Sequence, residues 1–223
     1  MLSRDKKINF NQFVLFLIVI FLNQQTVAKP NFSGIWISGV SVSDRDSFWP
    51  KDLPFTELGR EAQKKAGTLE DPAFQCIIGF GRIISAGFPT EIIQTDQQVT
   101  ILYEYNHQVR RIFTDGREHP KKVRPSLMGH SIGYWNESTL IVDTVGAKSL
   151  FFRLGGIPYS DKAHFIEKIR LLDDGETLEN IIMIDDSEFY TQKWEARIYL
   201  SLDPTTTILE YDCTVREHLE PIK

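Results

Sequence analysis

Hydrophobic and polar positions alternate with a period of two through much of the chain after Pro89, and this pattern predicts a succession of short β-strands. Glu91–Thr95 and Val99–Tyr105 are separated by Asp96-Gln97-Gln98, a hairpin signal. Val109–Thr114 ends at Asp115-Gly116, a strong turn dipeptide. Gly133–Trp135 and Thr139–Thr144 flank Asn136-Glu137-Ser138, and His164–Leu172 and Thr177–Ile184 flank Asp173-Asp174-Gly175-Glu176. Trp194–Leu202 and Thr207–Val215 flank Asp203-Pro204. With Asn31–Ile37 ahead of them, this makes roughly nine or ten strands, mostly joined as hairpins. No long helical stretch lies between them to support parallel crossovers.

Only Phe55–Ala66 has helical spacing, with Thr56 as N-cap and Gly67 as stop. Gly59 weakens it, so a short surface helix is expected. Asp71–Pro89 is glycine-rich and aperiodic, and reads as an irregular connection pinned by Cys76. A meander of this length escapes the exposure of its edge strands by closing on itself. The predicted fold is therefore mainly β: an antiparallel up-and-down β-barrel, lipocalin- or calycin-like in layout, with one short helix and long loops, formed by residues 29–223 as one domain.

Ahead of that domain, Arg4, Lys6 and Lys7 precede an apolar run from Phe13 to Leu22 and then a polar stretch ending at Ala28. This is the order of a cleavable secretory signal, here residues 1–28. Its apolar core of about 10 residues is well short of the roughly 20 that cross a bilayer. An uncleaved signal anchor is the competing reading. The mature protein is expected to be secreted or periplasmic and free of the membrane. Losing Arg4, Lys6, Lys7 and Asp5 removes two net positive charges, so the net charge of −5 becomes about −7. An acidic chain of this kind lacks the dense cationic face that nucleic acid requires. The two cysteines, Cys76 and Cys213, both survive cleavage, and in an oxidising compartment an even pair points to a disulfide. A free catalytic thiol is the alternative, and neither cysteine sits in a CxxC pattern.

Two resemblances follow from particular residues. Gly34-x-Trp36 at the head of a meander resembles the opening of lipocalins and the wider calycin group. That likeness implies a tryptophan plugging one barrel end beneath an arginine from a late strand, Arg197 or Arg216. The runs ILYEYNHQVRRIFTDGREHP, MGHSIGYWNESTLIVDT and ILEYDC are similar to a family of uncharacterised secreted bacterial proteins, over nearly all of the mature chain. Where members of that family usually read WEGDTL, this chain has Trp135-Asn136-Glu137-Ser138-Thr139-Leu140, which alters a turn. The likeness implies a secreted single domain and supplies no activity.

Residues 115–144 concentrate the candidate chemistry. Gly129-His130-Ser131-Ile132-Gly133 spells the nucleophile-elbow pattern of serine hydrolases, and Asp186 and His218 complete a formal triad. The elbow needs a buried parallel strand before it and a helix after it. Here a basic loop precedes and a hairpin follows, so the pattern reads instead as a strand entry whose glycines allow close packing. Between His107 and Arg124, Arg110, Arg111, Arg117, Lys121, Lys122 and Arg124 face only Asp115 and Glu118, a cationic block in an acidic protein. Strand alternation puts Arg110 and Arg111 on opposite faces, so one points into the barrel. An inward arginine must pair with a carboxylate such as Glu104 or Glu167, or meet an anionic ligand. His130 and Asp143 are brought together by their hairpin and form the candidate acid–base pair. No HxH, HExxH or Cys/His cluster is present, so neither a metal nor a cofactor is expected.

The leading expectation is a secreted or periplasmic protein that binds a small, partly apolar anion in the barrel cavity. Arg110, Arg111, His107, His119, His130, Tyr105 and Trp135 are its candidate binding residues. One alternative is an isomerase, cyclase or hydrolase using His130, Asp143 and an arginine in the same cavity. Another is a structural envelope protein whose barrel is filled by side chains.

Overall fold

The computed structural model describes residues 29–38, 49–68, 72–152 and 156–213. The stretch expected to be a signal, residues 1–28, lies outside them, as do Arg216 and His218. Eleven strands occur among the described residues: β1 Gly34–Ser38, β2 Thr90–Gln94, β3 Gln98–Tyr103, β4 Val109–Phe113, β5 His130–Asn136, β6 Thr139–Val145, β7 Leu150–Phe151, β8 Pro158–Tyr159, β9 His164–Leu171, β10 Thr177–Asp185 and β11 Trp194–Leu202. Nine of them close a barrel in the order β1-β11-β10-β9-β6-β5-β4-β3-β2, and β7 and β8 form a separate two-stranded ribbon. The fold is mainly β and barrel-shaped, as the alternation predicts.

It departs from a pure meander at one seam. β4 and β5 run parallel, through Ile112↔Ser131 and Phe113↔Ile132 alone, while the other neighbours in the barrel are antiparallel. Parity explains this. A closed ring whose neighbours are all antiparallel needs an even number of strands, so a nine-stranded ring must contain a parallel pair. The long connection from Thr114 to Gly129 carries the chain back along the wall and makes that pair possible.

Helix α1 spans Glu57–Thr68, starting where expected: the Gly59 amide donates to Thr56 Oγ1 at 3.0 Å, a side-chain N-cap. Gly59 has a packing reason to be there. A Cβ at that position would lie 2.0 Å from the Phe189 carbonyl oxygen, so only glycine lets the helix rest on that backbone. A second helix, α2 at Phe80–Ser85, lies in the segment expected to be irregular. Its residues Phe80, Gly81 and Ile83 are buried, so tertiary contacts stabilise a single turn and a half that sequence periodicity cannot reveal. The expected strand Thr207–Val215 is also absent over its described part. β1 already occupies the edge of β11, and the segment instead ties its backbone to side chains: the Leu209 amide donates to Glu104 Oε2 at 2.9 Å and the Tyr211 amide to His107 Nε2 at 2.7 Å. The Cys76–Cys213 disulfide fixes its end.

Inside the barrel, alternate residues of each strand interlock. Val99, Ile101 and Tyr103 of β3, Leu140, Val142 and Thr144 of β6, and Ile182 and Ile184 of β10 are all buried. Phe80 of α2 packs on Phe165 with ring centroids 4.7 Å apart, and Phe152, Tyr159, Trp49, Trp194 and Tyr190 continue the aromatic cluster. Trp36 is buried, its indole N–H donating to the Phe32 carbonyl at 2.9 Å. Arg197 is half exposed and faces Glu179 at 3.6 Å, so it does not cover Trp36 as the lipocalin likeness implies. Among the described residues no helix is long and apolar enough to cross a membrane.

Candidate functional site

Of the two adjacent arginines, Arg110 points inward and Arg111 outward. Burying Arg110 is tolerable because each nitrogen of its guanidinium has a partner. It forms a salt bridge and paired hydrogen bonds with Glu167 of β9, and donates to Ser131 Oγ of β5 at 3.2 Å and Thr144 Oγ1 of β6 at 2.9 Å. Its Cζ lies 4.7 Å over the Phe80 ring. Glu167 also accepts from Asn180 Nδ2 of β10 at 2.8 Å. Burial pushes the nearby Tyr103 hydroxyl up to about 12, against the opposing pull of Arg110. The internal-carboxylate partner is therefore the one realised, and it is Glu167. Glu104 serves the C-terminal segment instead.

The barrel interior leaves little room for a guest. Its cavity, between Ile83, Phe88, Ile101, Tyr103, Asn180 and Leu200, is about 50 Å³. That is space for a few waters and well below the several hundred Å³ that enclose a small organic ligand.

A larger opening lies in the wall. Because β4 and β5 pair only at their Ile112–Ser131 and Phe113–Ile132 positions, the chain before β5 separates from the start of β4. Ser126 docks on the far side, its amide donating to the Gly146 carbonyl at 3.1 Å, which widens the gap. The resulting groove is about 400 Å³. Val109, Phe113, Leu127 and Met128 give it an apolar lining, and Gln108, Arg111 and His130 supply polar groups. Arg111 and His130 are the residues just before the Ile112–Ser131 pair, so alternation turns both away from the core. Arg111 pairs with Thr100 through its backbone, and its side chain makes no hydrogen bond or ion pair among the described residues. Gly129 sets the angle of entry: its φ is +67°, and a Cβ there would meet the Val145 carbonyl oxygen at 2.7 Å.

On the same outer face, four side chains form a chain of contacts. His130 Nδ1 lies 2.8 Å from His119 Nδ1, His119 Nε2 lies 3.1 Å from Asp143 Oδ1, and His164 Nε2 lies 2.7 Å from the same oxygen. A carboxylate only accepts, so the His119 and His164 Nε2 atoms carry protons. A neutral His119 then offers a lone pair at Nδ1, and His130 must donate to it from its own Nδ1. That tautomer leaves the lone pair of His130 at Nε2. Burial, and the nearby Arg117 charge, hold the His130 imidazole below its usual range, and the charge of a protonated His119 would lower it further. Arg117 itself lies 3.9 Å over the Phe113 ring and bonds Asp115, while Phe113 packs on His130 with centroids 5.7 Å apart.

Other candidate residues serve elsewhere. Ser131 is buried and engaged by Arg110 and Thr144, so it is not an exposed nucleophile. Asp186 accepts from the Ser160 hydroxyl and amide at 2.8 Å, on another part of the fold. Tyr105 stacks with Phe88 and meets Tyr211, and His107 accepts from the Tyr211 amide, so both hold the C-terminal segment. Trp135 packs on Phe32. The structure thus gathers Arg111, His119, His130 and Asp143 and leaves Tyr105, His107 and Trp135 apart from them. His164, Phe113 and Met128 join the site without a local sequence signal. Alternation along β9 puts His164 on the face opposite the buried Glu167, yet the pairing of β6 with β9 that brings it to Asp143 is a long-range event. No group of His, Cys, Asp and Glu arranged to hold a metal occurs among the described residues. No protein-family model and no curated protein matches the chain.

Proposed function

We propose that the chain is a secreted binding protein of the uncharacterised bacterial family it resembles, and that it holds a small, partly apolar anion in the β4–β5 groove. The observation that carries this reading is the contrast between the two spaces. The interior offers about 50 Å³ and an arginine already neutralised by Glu167, whereas the groove offers about 400 Å³, an apolar lining and the unneutralised Arg111. The exposed Lys121, Lys122 and Arg124 on the loop beside it add a positive field that draws anions to this side of an acidic protein. The disulfide and the leader-like N-terminus agree with an exported protein.

Native mass spectrometry of the exported, disulfide-bonded protein tests retention of a natural ligand. Titration with the aromatic sulfonate anilinonaphthalene sulfonate tests the groove directly. Binding is expected to be saturable, and Arg111→Ala should weaken it by roughly 10- to 100-fold, the worth of one charge-assisted contact. No excess mass together with dye binding that Arg111→Ala leaves unchanged would overturn the reading. That result would favour a structural barrel filled by its own side chains.

A further inference from the structure

We propose that His130 is a general base, taking a proton from a carbon acid bound in the β4–β5 groove, with the His119–Asp143 chain supporting the charge it gains. The proposal rests on the binding reading above and adds a reaction to it. The geometry supplies each part. His130 lines the groove, and its Nε2 is left with the lone pair once Asp143 has fixed the proton on His119 and His119 has fixed the proton on His130. When His130 accepts a second proton, the positive charge faces His119 Nδ1, and through His119 the Asp143 carboxylate. His164 donates to the same Asp143 oxygen and positions that carboxylate.

The substrate class follows from the neighbours of that nitrogen. It is a small molecule with an acidic C–H beside a carbonyl or carboxyl group. In the step, the C–H bond breaks, its electron pair moves onto the carbonyl oxygen, and the proton goes to His130 Nε2. The enolate oxygen develops negative charge on the groove side that carries Arg111. Where a carbon–carbon double bond of the substrate is conjugated with that enolate, return of the same proton to its far carbon re-forms the carbonyl, completes an isomerisation and restores neutral His130, so no oxidant, reductant or second substrate is consumed. His130 is the catalytic residue, and His119, Asp143 and His164 are positioning residues. The charged and titratable groups around His130 are Arg111 from β4, Arg117 and His119 from the preceding loop, Asp143 from β6 and His164 from β9.

A substrate-independent test uses 5-nitrobenzisoxazole and the full disulfide-bonded protein. Base removal of the ring C–H proton opens the N–O bond and releases a coloured cyanonitrophenolate, with no other reagent. Wild-type turnover is expected to saturate and to rise with pH through a midpoint below the ordinary histidine value. His130→Gln should lower kcat about 100-fold or more, the usual span of a general base. Asp143→Asn should lower kcat and also move the midpoint to lower pH, since the carboxylate no longer favours the protonated imidazole. Asp143→Glu should restore both in part, which a merely structural role would not do. Equal rates for wild type and His130→Gln, with the dye still saturating the groove, would overturn the base and leave the binding reading standing. Loss of saturable binding by both dye and probe would overturn the two together.

Discussion

Replacing Arg110 by methionine removes the one cation from a network that spans β4, β5, β6, β9 and β10. The side chain is 2% exposed and Glu167 is 0% exposed, so Arg110→Met strands a carboxylate in the core without its counter-charge. Breaking a buried pair in this way costs about 3–5 kcal/mol. For a domain of this size that corresponds to a fall in Tm of roughly 6–20 °C. The double variant Arg110→Met/Glu167→Met removes both charges and should be milder. Ser131 and Thr144 keep each other, their hydroxyls 2.9 Å apart, but Asn180 loses its one acceptor, and its Oδ1 already lacks a partner. Stranding that amide costs about 1–3 kcal/mol, which is the residual expected for the double variant.

Urea unfolding followed by tryptophan fluorescence measures both variants on one scale, because the protein carries Trp36, Trp49, Trp135 and Trp194 in its described core or barrel wall. Arg111→Met provides the contrast: on the exposed face of the same strand it should shift stability by no more than about 0.5 kcal/mol. A loss below about 1 kcal/mol for Arg110→Met, or a double variant less stable than the single, would refute the reasoning that Glu167 depends on Arg110 for its burial.

Gly59→Ala sets helix propensity against packing: alanine gains about 1 kcal/mol in a helix, but its Cβ would lie 2.0 Å from the Phe189 oxygen. Net destabilisation of about 1–3 kcal/mol is expected by thermal unfolding, and stabilisation would contradict the contact. Reducing the disulfide, which joins residues separated by 137 positions, should cost up to about 5 kcal/mol in the chain-entropy account; an unchanged denaturation midpoint with and without reductant would count against it. Burial raises the Tyr103 hydroxyl to about 12 and also raises Tyr159 and Tyr190. Because the folded values lie above the unfolded one, this stability is complete below about pH 10 and is lost as pH rises toward 12 and beyond. Phenolate absorbance from these three should appear together with alkaline unfolding, and their ionisation in the still-folded protein would refute it. His130 is shifted the other way, below its unfolded value near 6.5, so its contribution is present above that pH and declines on acidification; His130→Gln should flatten that limb of the stability profile.

The strands are legible because alternation and turn chemistry are local. Asp115-Gly116 and the acidic stretch before Thr177 mark turns wherever the flanking strands go. Strand direction has no such mark, which is why the parallel β4–β5 seam escapes a reading by residues. α2 is hidden for a related reason, since six residues amid glycines show no period and are held by Phe80 and Ile83 in the core. Within the site, alternation requires one of Arg110 and Arg111 to face inward but does not choose between them. Val109, Arg111 and Phe113 make one face of β4, and Arg110 and Ile112 the other; each face carries an arginine beside apolar residues. The choice is made across the barrel, where Glu167 and Asn180 wait on β9 and β10. His119 sits in an aperiodic loop, so its place between His130 and Asp143 is visible only once that loop is folded.

The buried network and the outer groove are two consequences of the same seam. Two register pairs are too short a ladder to close a barrel wall firmly, and side chains take over part of that task. Arg110 from β4 reaches Ser131 on β5, Thr144 on β6 and Glu167 on β9, crossing the seam beneath the point where the backbones separate. With closure carried by side chains inside, the backbones above can stay apart, and the gap between them is the groove. The residues adjoining Ile112 and Ser131 then alternate outward as Arg111 and His130, onto a floor held rigid by the network below. Rigid support of this kind is what a binding or proton-transfer site requires of its surroundings. It also ties the two sets of variants together: loosening the interior at Arg110 should blur dye binding in the groove, whereas Arg111→Ala should weaken affinity without touching the fold.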